Sequence, residues 1–73
     1  MSYKVRIKLK ELADERGISL RELARLSDIE PSKINKMANS KRERIYLPHI
    51  ERIAESLEIS DISKIIDLVN EED

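Results

Sequence analysis

Seventy-three residues with a formal net charge of −1, no cysteine and one histidine describe one small domain and exclude several kinds of chemistry. Without cysteine there is no disulfide framework and no thiolate metal site, and one histidine cannot build an imidazole cluster. A chain this short buries only about 60% of its unfolded surface, which leaves little room for an enclosed active site.

Charged residues make up 40% of the chain, and Tyr3 and Tyr46 are its aromatic residues. That composition suits a helix-rich domain with a small aliphatic core. No apolar run approaches the length of a membrane span and no signal peptide opens the chain. A soluble, cytoplasmic protein without membrane contact or cofactor is expected. The small net charge hides an asymmetry. Residues 1–50 carry twelve Lys/Arg against seven Asp/Glu, a net of +5, and residues 51–73 carry two against eight, a net of −6. A basic working face backed by an acidic end fits that division, because phosphate contacts are made by one face only.

The first residues carry two periods at once. Tyr3, Val5, Ile7 and Leu9 alternate with Lys4, Arg6 and Lys8, which is strand-like, whereas Val5, Leu9 and Leu12 follow a helical stripe. The compromise is an extended arm over residues 1–5, then a helix to Arg16 with Leu9, Leu12 and Ala13 inward. Gly17 is its left-handed stop. Ser19 then caps a second helix, with Glu22 placed to complete a capping box and Ile18 and Leu23 at the spacing of a hydrophobic staple. Leu23 and Leu26 face inward beside Ala24. The pattern breaks at residues 27–30, where Asp28 tolerates the left-handed backbone a turn needs and Ile29 pins it to the core. Pro31 opens a third helix, since its missing N–H costs nothing at the first position. Ile34 and Met37 anchor this helix, which leaves Ser32, Lys33, Asn35, Lys36 and Asn39 outward. Two helices joined by so short a turn form a helix-turn-helix, whose second helix enters the major groove of DNA.

Residues 41–44 read as a charged loop. A fourth helix runs from Leu47 or Pro48 to about Leu57, with Leu47, Ile50, Ile53, Ala54 and Leu57 inward. Ile59 pins the next turn. Ser60 or Asp61 caps a last helix, residues 62–69, and residues 70–73 are a frayed acidic end. The whole chain, 1–73, is one domain, with no internal repeat or linker.

These elements together resemble the Cro/C1-type helix-turn-helix family of bacterial and phage regulators, in its compact single-domain form. The likeness rests on Leu9 and Leu12, on Arg16-Gly17-Ile18-Ser19, on Glu22-Leu23-Ala24, on Ile29, Pro31-Ser32, Ile34 and Met37, and on the block from Ile45 through Leu47, Ile50, Ile53-Ala54 to Leu57. It implies an all-α, five-helix, lambda-repressor-like domain that binds duplex DNA and controls transcription, usually as a dimer on a palindromic operator. Asp28 stands where Gly is usual in the turn, Glu30 where Ser, Thr or Asp usually caps the third helix, and Leu20 where many relatives hold a phosphate with Gln.

By that resemblance Ser32, Lys33 and Lys36 reach base edges, where Lys donates to guanine O6/N7. Asn35, Asn39, Lys41, Arg42 and Arg44 grip the backbone without reading sequence. Lys4, Arg6, Lys8 and Lys10 form a second basic group, either an arm for the minor groove or the polar side of an amphipathic start. Ile62, Ile66 and Val69 are surplus apolar surface on the last helix and suit a homodimer contact. The rival reading keeps the fold and makes it a protein-interaction module, or an antitoxin-like partner binder, favoured by the overall acidity, Glu30 and Leu20. An enzyme is not expected, because no nucleophile–base pair, metal cluster or phosphate loop appears, and Ser19 or Ser32 with His49 makes no triad. An RNA binder is not expected, because the aromatic stacking platforms that RNA modules use are missing.

Overall fold

Gly17, Asp28 and Glu58 end three helices by the same device. The structure is a computed structural model that describes residues 2–39 and 44–71. In chain order it contains β1 (Tyr3–Ile7), α1 (Leu9–Glu15), α2 (Leu20–Ser27), α3 (Pro31–Ala38), α4 (Leu47–Ser56), a 3₁₀ turn (Ile62–Lys64) and β2 (Ile66–Asn70). After α1, α2 and α4 comes one residue with positive φ: Gly17 at 67°, Asp28 at 54° and Glu58 at 54°. In each case the following isoleucine donates its N–H back to an alanine carbonyl. Ile18 bonds Ala13 at 3.0 Å, Ile29 bonds Ala24 at 3.0 Å and Ile59 bonds Ala54 at 2.8 Å. The left-handed residue itself bonds one carbonyl further on, so each helix closes in a full Schellman motif that satisfies carbonyls its end would leave orphaned. Each isoleucine also packs on the core.

The helices meet through short stripes. Leu9, Leu12 and Ala13 face inward from α1, Ile34, Met37 and Ala38 from α3, and Ile50 and Ile53 from α4. On α2 the buried stripe is Leu23, Ala24 and Ser27, with Leu20 packed beside it. That spacing turns Leu26 outward, to 40% exposure, where it was expected inward. Ser27 takes the inner position, and its hydroxyl lies 3.1 Å from that of Ser56, which also donates to the Ile53 carbonyl. Leu47 was also expected inward. It is the first residue of α4 and 65% exposed, and the buried stripe of that helix is Ile50 and Ile53.

The all-α expectation needs correction. The structure is mostly helical, with four α-helices and a two-stranded antiparallel sheet. The helix expected over 62–69 is a single 3₁₀ turn followed by a strand. Asp61 caps that turn, its Oδ1 accepting the Ser63 N–H at 3.0 Å, and the chain then extends into β2. The arm expected over 1–5 is the other strand, with Tyr3 opposite Asn70, Val5 opposite Leu68 and Ile7 opposite Ile66. The first helix accordingly starts at Leu9. Asn70 ends β2, and the Glu71 N–H bonds the Ser2 carbonyl at 3.0 Å. The physical reason is tertiary. Ile65, Ile66 and Val69 are β-branched and stiff at χ1, which suits a pleated surface once a partner strand is available. That partner lies 60 residues away in the chain.

Lys4, Arg6 and Lys8 alternate with the apolar residues, and this puts them on one side of the sheet. Arg6 makes a two-pronged bond to Asp67, Nε to Oδ1 at 3.0 Å and Nη2 to Oδ2 at 2.8 Å. Lys8 stands 3.6 Å from the same carboxylate and bonds the Ser63 carbonyl. The Arg6 hydrogen bond and the two nearby cations hold Asp67 below the ordinary carboxylate range.

The left-handed ends and the cross-strand pair can be tested with three variants. A non-Gly residue in the left-handed region carries roughly 1–2 kcal/mol of strain, against which glycine costs roughly 0.5–1 kcal/mol of chain entropy. Urea denaturation of Glu58→Gly should therefore show a gain of up to about 1 kcal/mol. Gly17→Ala should lose about 1 kcal/mol, although an added Cβ would meet nothing within 4 Å. For Asp67 the folded pKa is lowered, so the pair stabilises the fold above the ordinary carboxylate range and is lost as pH falls through the lowered value. Asp67→Asn should melt below the natural chain at pH 7, and the gap should close on acidification to about pH 2.

Candidate nucleic-acid interface

The turn between α2 and α3 is built from the backbone outward. Ser19 accepts the Glu22 N–H at 3.0 Å and starts α2. Half of the expected capping box is realised. The Glu22 carboxylate turns forward to Arg25, one helical turn on, with Nε to Oε1 at 2.8 Å. That bond pulls the Glu22 carboxyl below its usual range. Asp28 then takes the left-handed conformation, φ 54° and ψ 47°. Ile29 is buried beside it. Arg52 of α4 donates Nη1 to the Asp28 carbonyl at 3.1 Å, so the fourth helix holds the turn from outside. Nothing in the local sequence around Arg52 marks it for this role; the contact spans 24 residues.

Pro31 opens α3. Glu30 precedes it as N-cap without a side-chain capping bond, and its carbonyl accepts the Lys33 and Ile34 N–H groups at 3.0 and 3.1 Å. Below, Ile34 and Met37 are buried with Ala38. Above, Ser32, Lys33, Asn35, Lys36 and Asn39 are all exposed. These five residues were assigned to DNA from the sequence, and the structure places them on the outer side of one helix and its end. Lys33 and Lys36 make no ion pair among the described residues. An open groove runs along the turn, with Arg21 and Arg25 on the α2 side and Glu30 and Pro31 on the α3 side. Leu20 is partly buried against the core and serves packing.

Other assigned residues lie elsewhere. Arg44 is exposed just before α4. Lys41 and Arg42 lie outside the described residues. Tyr46 stands edge-on to the ring of His49 at 4.8 Å, at the start of α4. Of the second basic group, Arg6 and Lys8 are engaged with Asp67 inside a paired strand, which removes the free arm a minor groove would need. Ile62, Ile66 and Val69 do not share a helix face. Ile62 is exposed in the 3₁₀ turn, and the register puts Ile66 and Val69 on opposite sides of the sheet. With α2 and α3 bracketing a rigid turn and α3 carrying a polar, basic outer side, the geometry is that of a helix-turn-helix.

Comparison with known families matches residues 8–71 to the Cro/C1-type HTH DNA-binding domain. The chain belongs to that family, a class of DNA-binding domains that are typically non-enzymatic. No curated protein and no solved structure gives a match. No helix among the described residues is long and apolar enough to cross a membrane.

The bond from Arg52 to the turn gives a test. Arg52→Ala should cost about 0.5–1.5 kcal/mol in thermal or urea unfolding, as for a solvent-facing hydrogen bond. Arg52→Lys should recover part of that loss, because the ammonium can still donate to the Asp28 carbonyl.

Proposed function

We propose that this protein is a sequence-specific, duplex-DNA-binding transcriptional regulator, a repressor that acts in the cytoplasm as a homodimer on a palindromic operator. The observation that carries the reading is the division of α3 into two sides. Ile34 and Met37 fix the helix to the core, while Ser32, Lys33, Asn35 and Lys36 face solvent together. In a helix-turn-helix the second helix lies in the major groove and its side chains contact base edges, which requires its axis to be held by the rest of the domain. Ser32, Lys33 and Lys36 then contact bases. Asn35, Asn39, Lys41, Arg42 and Arg44 contact the backbone. Two half-sites about 34 Å apart follow for a twofold-symmetric dimer. Occupying such a site blocks polymerase, which is the simplest route from binding to repression.

Glu30 at the start of α3 favours a second reading, in which the same fold binds a protein partner, because a carboxylate there repels phosphate. Salt separates the two. DNA binding by several cations weakens steeply with salt through counterion release, whereas an apolar contact does not.

Selection from a randomised duplex pool, with affinity repeated at two salt concentrations, decides the matter. A palindromic consensus with a steep salt slope supports the operator reading. Weak, unselective binding that vanishes by physiological salt sinks it. Within a selected site, Lys36→Ala should cost about 1–3 kcal/mol and relax preference at one base position. Arg44→Ala should weaken all sequences alike and lower the salt slope by about 1. Identical behaviour of the two variants on specific and random DNA would overturn the division into reading and gripping residues.

A further inference from the structure

The outward side of α3 begins with a carboxylate. Glu30 is exposed at the entry to the helix and lines the open groove with Arg21 and Pro31. Its backbone is committed, because its carbonyl accepts the Lys33 and Ile34 N–H groups. Its side chain makes no capping bond and no ion pair among the described residues. The other two acids of that groove have evident tasks. Glu22 holds Arg25, and Asp28 closes α2 in the left-handed conformation. The helix dipole favours any acid at this end, yet Asp would meet the same dipole and also cap the helix. Glutamate gives up the cap and gains one methylene of reach away from the backbone.

We propose that Glu30 is a specificity-determining residue that accepts a hydrogen bond from the N4 amino group of a cytosine in the major groove. The inference rests on the operator reading above and adds the base that the start of α3 selects. In a helix-turn-helix the N-terminal residues of the second helix contact base edges, and Glu30 stands at that end. An ionised carboxylate only accepts hydrogen bonds. Guanine presents two acceptors, N7 and O6, and thymine presents O4 and a methyl group, so neither can satisfy it. Adenine offers the N6 amino group, but with the N7 acceptor beside it. Cytosine alone presents a donor and no acceptor. Lys33, exposed three residues further on, is the converse case, since an ammonium only donates and guanine presents only acceptors there. An acceptor and a donor one turn apart thus match the two members of a G·C pair. Repulsion of phosphate by the same carboxylate is blind to sequence, whereas a base contact acts at one position.

Selection from a randomised duplex pool by the full natural chain, by Glu30→Gln and by Glu30→Ala tests this. The natural chain should enrich sites with a cytosine at one position of the half-site, and replacing that cytosine should weaken binding about tenfold. Glutamine bonds N6 and N7 of adenine together. Glu30→Gln should therefore move the preference at that position from cytosine to adenine and leave the other positions as they were. Glu30→Ala should lose the preference there and keep the rest of the consensus. Circular dichroism checks that each variant is folded, and either one suffices if the other unfolds. A consensus shared by all three proteins overturns the proposal. So does a gain in affinity common to every sequence, which is what removal of a purely repulsive carboxylate would give. A natural chain that enriches no consensus defeats the operator reading and this assignment together, whereas a consensus indifferent to residue 30 defeats this assignment alone.

Discussion

The hydrogen bond from the Ile29 N–H to the Ala24 carbonyl is the constraint on which the rest depends. It exists only because Asp28 accepts a left-handed backbone, and it sets the direction in which α3 leaves α2. With that direction fixed, Ile34 and Met37 reach the same core as Leu23, and the polar side of α3 has no choice but to face out. The same closure at Gly17 and Glu58 orients α2 against α1 and the 3₁₀ turn against α4. An 8-residue helix has little stability of its own, since nucleation is costly and few bonds follow it. In this chain three helices shorter than eleven residues are held by their ends and by one buried stripe each. Strain of a kcal/mol or two at Asp28 is offset by burying Ile29, which is worth roughly 1.5–3 kcal/mol.

Much of this was legible because the signals are local. Ser19, Gly17, Asp28 and Pro31 act within four residues of themselves, and each produced the cap, stop or turn that its chemistry implies. The helix-turn-helix and the outward set on α3 followed. What the sequence concealed depends on distant pairs. Tyr3–Ile7 showed its alternation openly, but a strand needs a partner, and the partner's β-branched residues also fit a short helix. Choosing between them requires knowing that the two ends of the chain meet. The Arg52 bond to the turn and the Ser27–Ser56 hydroxyl pair are equally invisible, as each joins residues more than twenty apart. Leu26 and Leu47 misled for a simpler reason. Small helices bury a narrow stripe, and a leucine one position off it stays in water.

The charge asymmetry reads differently once the sheet is in place. The acidic second half is not merely a counterweight to a basic first half. Asp67 holds Arg6 and Lys8 at the far side of the sheet, and Glu22 holds Arg25 on α2. Those three cations are therefore partly neutralised where they stand, while Lys33 and Lys36 keep their charge at the outer side of α3. Local pairing of this kind is something a net charge of −1 could never reveal.

The sheet also explains why the surplus apolar residues at the end of the chain are tolerable. A free edge carrying an exposed leucine invites indiscriminate pairing, which proteins ordinarily prevent with charge. Here both strands carry charge, Lys4 and Arg6 on β1 and Asp67 on β2. The sheet, the least expected part of the fold, thus ties the two ends of the chain to each other.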